Sequence, residues 1–188
     1  MNKSITLGSQ SDIAQRNNMS LAETFFNVDL IALVDISGSM ATRDGRGGKS
    51  RWDVANEHLT NLQSFYQGKI ALIEFASITM FKPDGILSLP NGSTNLTDAL
   101  QFAKMADDCG IKIVVVSDGV ADNQNTALTE ARKYTSKIDV IYCGNESDYE
   151  GGREFLQKLA NVTGGQFFKS DSTGSIETEI EILLLGGY

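Results

Sequence analysis

The stretch "LIALVDISGSMATRDGRGGKS", Leu30 to Ser50, decides how the chain is read. It opens on the end of an apolar run, Val28 to Val34. A run that is nearly continuous rather than alternating marks a strand buried on both faces of a parallel sheet. Two chemical signals follow it. Asp35, Ser37 and Ser39 set one carboxylate and two hydroxyls at every second position. Gly48-Lys49-Ser50 ends the stretch like a phosphate-binding loop.

The phosphate signal fails on inspection. The loop requires G-x-x-x-x-G-K-[ST] directly between a strand and its helix. The first glycine is due at position 43, which is Arg43, and the strand has ended far upstream at Val34. The segment Thr42 to Ser50 is better described as a basic loop leading into a helix from Trp52. Arg43, Arg46 and Lys49, with Arg51 just beyond, would form a positive rim able to attract an acidic partner.

Working outward, three more apolar runs lie at Lys69–Phe75, Ile111–Val116 and Ile138–Cys143. Helical stripes alternate with them. Ala55, Leu59, Leu62 and Tyr66 share one face, and Ala99, Ala103 and Ala106 share another. Leu156, Leu159, Ala160 and Thr163 form a third stripe, and Ile176, Ile180, Leu183 and Leu184 a fourth. Asn125 to Ser136 is a weaker helix. Pro83-Asp84-Gly85 is a turn expected to join Ile78–Phe81 to Ile86–Leu89 at a sheet edge. Alternation of this kind predicts an α/β doubly wound fold. The sheet should be mostly parallel, with about six strands, one antiparallel edge strand and helices on both faces. Residues 1–26 are polar and aperiodic. They are expected to be a flexible lead-in with a short helix around Ser20 to Phe26, ahead of one domain over 27–188.

In an open α/β sheet, ligands bind at the carboxyl ends of the strands. Asp35 stands at such an end. In an extended loop Asp35, Ser37 and Ser39 can point the same way, and Gly38 permits a sharp turn between the serines. One carboxylate with neutral hydroxyls suits a hard divalent cation. Two other segments offer further oxygen groups. "VVVSDG", Val114 to Gly119, is a strand running into Asp118. "GSTNLTDAL", Gly92 to Leu100, is a polar loop opening a helix.

"DISGSM", "GSTNLTDAL" and "VVVSDG", in that order and at these separations, resemble the metal-ion-dependent adhesion site of von Willebrand factor A domains. The resemblance covers the chain from about Asn27 onward and implies a Rossmann-like fold. It implies that Asp35, Ser37, Ser39, Thr94 and Asp118 hold Mg²⁺ or Mn²⁺, with an open position for an Asp or Glu of a protein partner. Thr97 competes with Thr94; Thr94 is preferred because it follows the Gly-Ser turn, while Thr97 suits capping the helix near Asp98. Relatives with this layout act as adaptors for AAA+ ATPases of the MoxR type or in tellurite-resistance-like stress systems. The expectation is a stand-alone interaction module of prokaryotic or viral origin.

Composition bounds the alternatives. At 188 residues, with 41% hydrophobic and 21% charged residues, the chain is that of one globular domain. Its net charge of −8 argues against a nucleic-acid surface. No segment approaches the ~20 apolar residues of a membrane span. Residues 1–20 have no apolar signal-peptide core, so a cytoplasmic chain is expected. Cys109 and Cys143 are too few for a disulfide framework. Asn-x-Ser/Thr acceptors at Asn2, Asn18, Asn91, Asn95, Asn145 and Asn161 also sit badly with a eukaryotic secretory route. An exported adhesion module is the alternative reading. An enzyme is disfavoured: the single histidine, His58, lies in a helix, and Ser37 occupies the place where a dehalogenase-type phosphatase needs a second aspartate.

Overall fold

A computed structural model describes residues 5–119, 121–145, 151–170 and 175–186. The strands are β1 (Leu30–Asp35), β2 (Ile70–Phe75), β3 (Thr79–Phe81), β4 (Lys112–Ser117), β5 (Ile138–Tyr142) and β6 (Phe167–Lys169). They form one sheet in the order β3-β2-β1-β4-β5-β6. Only the β2–β3 pair is antiparallel, which makes β3 the antiparallel edge strand. The helices are α1 (Gln10–Asn17), α2 (Leu21–Phe26), α3 (Arg51–Phe65), α4 (Leu96–Asp107), α5 (Gln124–Ala131), α6 (Gly152–Thr163) and α7 (Ile176–Leu185).

Successive residues of a strand point to opposite faces, and here each face has its own core. Ile31, Leu33, Ile73, Phe75, Ile113, Val115 and Val140 pack with the alanine stripe of α4 and the apolar faces of α5 and α6. Leu30, Ala32, Val34, Leu72, Val114, Val116 and Ile141 pack with Ala55, Leu59 and Leu62 of α3 and Ile176, Ile180 and Leu183 of α7. Every residue of β1, β2 and β5 is buried. Double burial explains why these strands read as continuous apolar runs. From β1 the chain winds outward through α3 to β2 and β3, then returns through α4 to β4 on the other side of β1. That reversal opens a crevice above the carboxyl ends of β1 and β4.

Three features differ from the sequence expectation. First, Ile86–Leu89 is not a strand. Ser88 is held by a side chain instead of a ladder: its N–H and Oγ donate to Glu74 Oε2 and Oε1, both at 2.7 Å. Trp52 Nε1 donates to the Ser88 carbonyl at 2.8 Å. The sixth strand is β6, only three residues long and half-buried, which left little apolar pattern to find.

Second, the segment expected to be a flexible lead-in is folded over residues 5–26. The Ser9 hydroxyl caps α1 and Asn18 closes it in the left-handed region at φ 52°. Buried Gln10 donates from Nε2 to the Ile70 carbonyl at 3.1 Å and the Gly68 carbonyl at 3.3 Å. Gly8, at φ +79°, crosses α3 so closely that a Cβ would lie 1.9 Å from the Gln63 carbonyl oxygen. Polar side chains and backbone make this attachment, so hydrophobic periodicity could not announce it. The capping box of Ser20 with Glu23 starts α2 where a short helix was expected.

Third, α5 ends at Ala131, before the expected Ser136. Asp107, buried at the end of α4, draws the chain out of the helix. Its carboxylate accepts from Thr135 N–H at 2.9 Å, Thr135 Oγ1 at 3.0 Å and Ser136 N–H at 2.7 Å. Burial opposes ionisation there, but Lys104 and the N–H groups of Thr135 and Ser136 outweigh it. The carboxyl is held well below the usual carboxylate range.

A depressed pKa of this kind contributes stability above the unfolded value of ~3.9 and loses it as pH falls below that value. Asp107→Asn should therefore cost about 2–3 kcal/mol in urea unfolding at pH 7. The difference from wild type should shrink as pH is lowered below about 4.

Candidate metal site

The site begins with strand register. Val34 pairs with Val116 in the parallel β1–β4 ladder, so the next residues, Asp35 and Ser117, stand side by side. Ser117 Oγ donates to Asp35 Oδ2 at 2.6 Å. The Ser37 N–H donates to Asp35 Oδ1 at 2.8 Å. Asp35 has no solvent exposure. Burial pushes its carboxyl up to about 6; the Ser117 and Ser37 bonds oppose that, and the charge of Asp118 adds to it.

After Ser37 the chain makes a single 3₁₀ turn, Gly38–Ala41, that folds the serines together. The Ser37 and Ser39 hydroxyl oxygens are 3.1 Å apart, and Ser39 Oγ donates to Asp118 Oδ1 at 2.8 Å. Asp35, Ser37, Ser39 and Asp118 thus form one hydrogen-bonded chain across two strand ends. The loop before α4 docks on the first by backbone: Gly38 N–H donates to Gly92 O at 3.2 Å, and Asn91 N–H to Ile36 O at 2.8 Å. Thr94 lies on that docked loop. Its N–H donates to Asp122 Oδ1 at 2.9 Å, and the Asp122 N–H returns to Thr94 O at 3.0 Å. Asn95, not Thr97, caps α4, accepting from the Asp98 N–H at 3.3 Å. Behind Asp118, a Cβ on Gly144 would lie 2.8 Å from the Asp118 carbonyl oxygen and 2.5 Å from the Tyr142 hydroxyl. The back of the site is therefore closely packed by the Tyr142 side chain and the Asp118 main chain.

The basic loop divides. Arg51 is not part of an exposed rim: it is 5% exposed and the first residue of α3. Its Nη1 donates to Asp118 Oδ2 at 2.8 Å. Its Nε donates to Asp44 Oδ1 at 3.0 Å and Oδ2 at 3.1 Å, and Nη2 also reaches Asp44. Asn145 Nδ2 donates to Asp44 Oδ2 at 2.7 Å. The Arg51 bonds hold the Asp44 carboxyl below its usual range, against the effect of burial. Lys49 pairs with Glu57 on the surface, and Arg43 Nη1 donates to the Gly48 carbonyl at 3.4 Å. Arg46 begins a second 3₁₀ turn, Arg46–Gly48, and its side chain lies outside the described residues. Ser50 is a helix cap. Its Oγ accepts the Asp53 N–H at 3.0 Å, and Asp53 Oδ2 accepts the Ser50 N–H at 2.9 Å.

Sequence reasoning missed Ser117, Asp122 and Asp44. Ser117 was legible in principle, being the register neighbour of Asp35. Asp44 and Asp122 were not, because only the folded loops show which side chains they meet.

The donor chemistry suits a hard cation. Two carboxylates and three hydroxyls supply only oxygen, and two carboxylates in a buried crevice favour a positive charge between them. Cys143 lies nearby, but burial pushes its thiol well up, with Asp118 and Asp35 adding to the effect. No group of three or more His, Cys, Asp or Glu side chains suited to a metal occurs among the described residues. No helix among the described residues is long and apolar enough to cross a membrane.

No protein-family model matches the chain, and no curated protein matches it. Solved structures do. The manganese-loaded TRAP protein of Plasmodium vivax superposes with a TM-score of 0.57 at 20% identity, covering 85% of this chain and 72% of that one. A von Willebrand factor type A protein from Catenulispora acidiphila gives 0.60 at 13% identity, over 82% of this chain and 41% of that one. The ArnB paralog VWA2 from Sulfolobus acidocaldarius gives 0.55 at 19% identity, over 76% and 41%. This chain thus spans about two fifths of the last two. The fold is that of a von Willebrand factor A domain; at these identities the likeness speaks for the fold alone.

If Gly-Lys-Ser starts a helix and binds no phosphate, Ser50→Ala should lower stability by about 1 kcal/mol in thermal or urea unfolding. ATP and GTP should leave the melting temperature of the wild-type protein unchanged. A nucleotide-dependent rise that Lys49→Ala removes would contradict that assignment.

Proposed function

We propose that the chain is a binding domain that joins a carboxylate of a protein partner through Mg²⁺ or Mn²⁺. The observation that supports this most is the hydrogen-bonded chain Asp35–Ser37–Ser39–Asp118 at the topological reversal of the sheet. Asp35, Ser37, Ser39, Thr94 and Asp118 would hold the cation. Each residue has a separable task. Ser117 and the Ser37 N–H orient the Asp35 carboxylate. The 3₁₀ turn aims the Ser37 and Ser39 hydroxyls, and Asp122 fixes the Thr94 backbone. When bound, the cation would supply positive charge that so few anionic ligands leave incompletely neutralised, which favours an outside carboxylate.

Binding rather than catalysis is the favoured role. The single histidine, His58, is engaged elsewhere: its Nδ1 accepts the Glu177 N–H at 3.3 Å, at the start of α7. The motif resemblance supports an adaptor role, either for an AAA+ ATPase of the MoxR type or in a tellurite-resistance-like stress system. Arg43 and Lys49, with Arg46, remain the candidate residues for attracting an acidic partner surface.

Calorimetric titration of Mg²⁺ and Mn²⁺ tests the site. Wild type should bind, Asp35→Ala should lose at least tenfold in affinity, and Thr94→Ala should weaken binding. Equal heats in all three proteins would sink the reading. Partner capture should also be lost when EDTA is present and restored by excess Mg²⁺; capture indifferent to EDTA would rule out a metal bridge.

A further inference from the structure

We infer that Arg51 is a built-in cation of the metal site: it lowers the affinity for the metal and leaves the held metal more attractive to an outside carboxylate. The inference rests on the metal reading above and concerns how that site is tuned.

Sequence alone makes Arg51 one more charge in a basic loop. The Ser50 cap changes that, because it starts α3 at Arg51 and turns this side chain inward. A guanidinium at 5% exposure is stable only when its donors are met by charged acceptors. Asp118 and Asp44 meet it on two sides. The two acids are not equivalent. Asp118 has a fully buried side chain, whereas that of Asp44 is 23% exposed. Arg51 thus bridges the two acids, giving Nε and Nη2 to Asp44 and Nη1 to the fully buried Asp118.

Two consequences follow for a divalent ion. Asp118 presents no unengaged oxygen: Oδ1 accepts from Ser39 and Oδ2 from Arg51. An ion reaching Asp118 must share it with the guanidinium or contact it through water. The charge balance is the second consequence. Asp35, Asp118 and Asp44 carry −3 among them, and Arg51 returns +1. A divalent ion added to −2 is neutralised, whereas added to −3, without Arg51, it leaves one net negative charge that repels an outside carboxylate. Arg51 thereby weakens the hold on the metal and strengthens the pull on an incoming carboxylate.

A purely structural arginine predicts the opposite sign, since loosening Asp118 would weaken metal binding. Mn²⁺ titrations and thermal melts with and without Mn²⁺ on wild type, Arg51→Gln, Arg51→Lys and Asp35→Ala separate the two. Arg51→Gln should bind Mn²⁺ about tenfold more tightly than wild type. Its melting temperature should also rise more on adding Mn²⁺. Arg51→Lys, which keeps the charge, should stay within about threefold of wild type. Acetate, followed by the relaxation of Mn²⁺-bound water, should bind the loaded Arg51→Gln protein more weakly than loaded wild type.

Equal or weaker Mn²⁺ binding by Arg51→Gln overturns the inference, as does an undiminished acetate effect. If Arg51→Gln is unfolded without cation, refolding by Mn²⁺ supports the inference, and failure to refold at saturating Mn²⁺ overturns it. Loss of Mn²⁺ binding in Asp35→Ala alongside unchanged affinity in Arg51→Gln would keep the metal reading and remove this one. No Mn²⁺ binding by either wild type or Arg51→Gln removes both.

Discussion

The parallel pairing of β1 with β4 governs this molecule. It is the seam at which the chain reverses its direction of winding, and both strands end at the same level. Asp35 and Ser117 become neighbours by register, and their 2.6 Å bond ties the two strand ends together. Everything polar above the sheet is hung from that seam. The turn after β1 brings Ser37 and Ser39 across to Asp118, and the loop before α4 clips onto the turn through Gly38 and Gly92. Two separate cores cover the seam from either side, so the site rests on closely packed strands.

How much of this could be seen in the sequence depended on what kind of force placed each residue. Strands β1, β2, β4 and β5 are covered by helices on both faces, and such coverage writes itself as an unbroken apolar run. Strand β6 is short and half-buried at an edge, and left no comparable trace. Ile86–Leu89 has the composition of a strand, but Glu74 and Trp52 take Ser88 and divert the backbone from pairing. Helix α1 was invisible for a related reason. Its anchor is the amide of Gln10 on two backbone carbonyls, and a single polar contact has no period.

The site divides along the same line. Asp35, Ser37, Ser39 and Asp118 could be located because strand ends and alternate spacing are local properties. The helix cap at Ser50 was equally local, yet the triplet Gly-Lys-Ser drew attention to phosphate instead. Arg51 was misplaced for a deeper reason. A basic residue in a basic loop looks solvated until its long-range partners are known, and Asp118 is 67 positions away. Charge patterning along a chain therefore gave the wrong burial for the one cation nearest the proposed metal ligands.

The wall behind Asp118 bears on how such a site can diverge. At Gly144 the chain approaches the Asp118 carbonyl too closely to admit even a methyl group. That side of the crevice is closed by the Tyr142 ring and hydroxyl as well as by the Asp118 carbonyl. Gly144 and Tyr142 are therefore fitted to each other, and a larger residue at one must be met by a smaller one at the other. In a lineage of such chains these two positions are expected to change together or not at all.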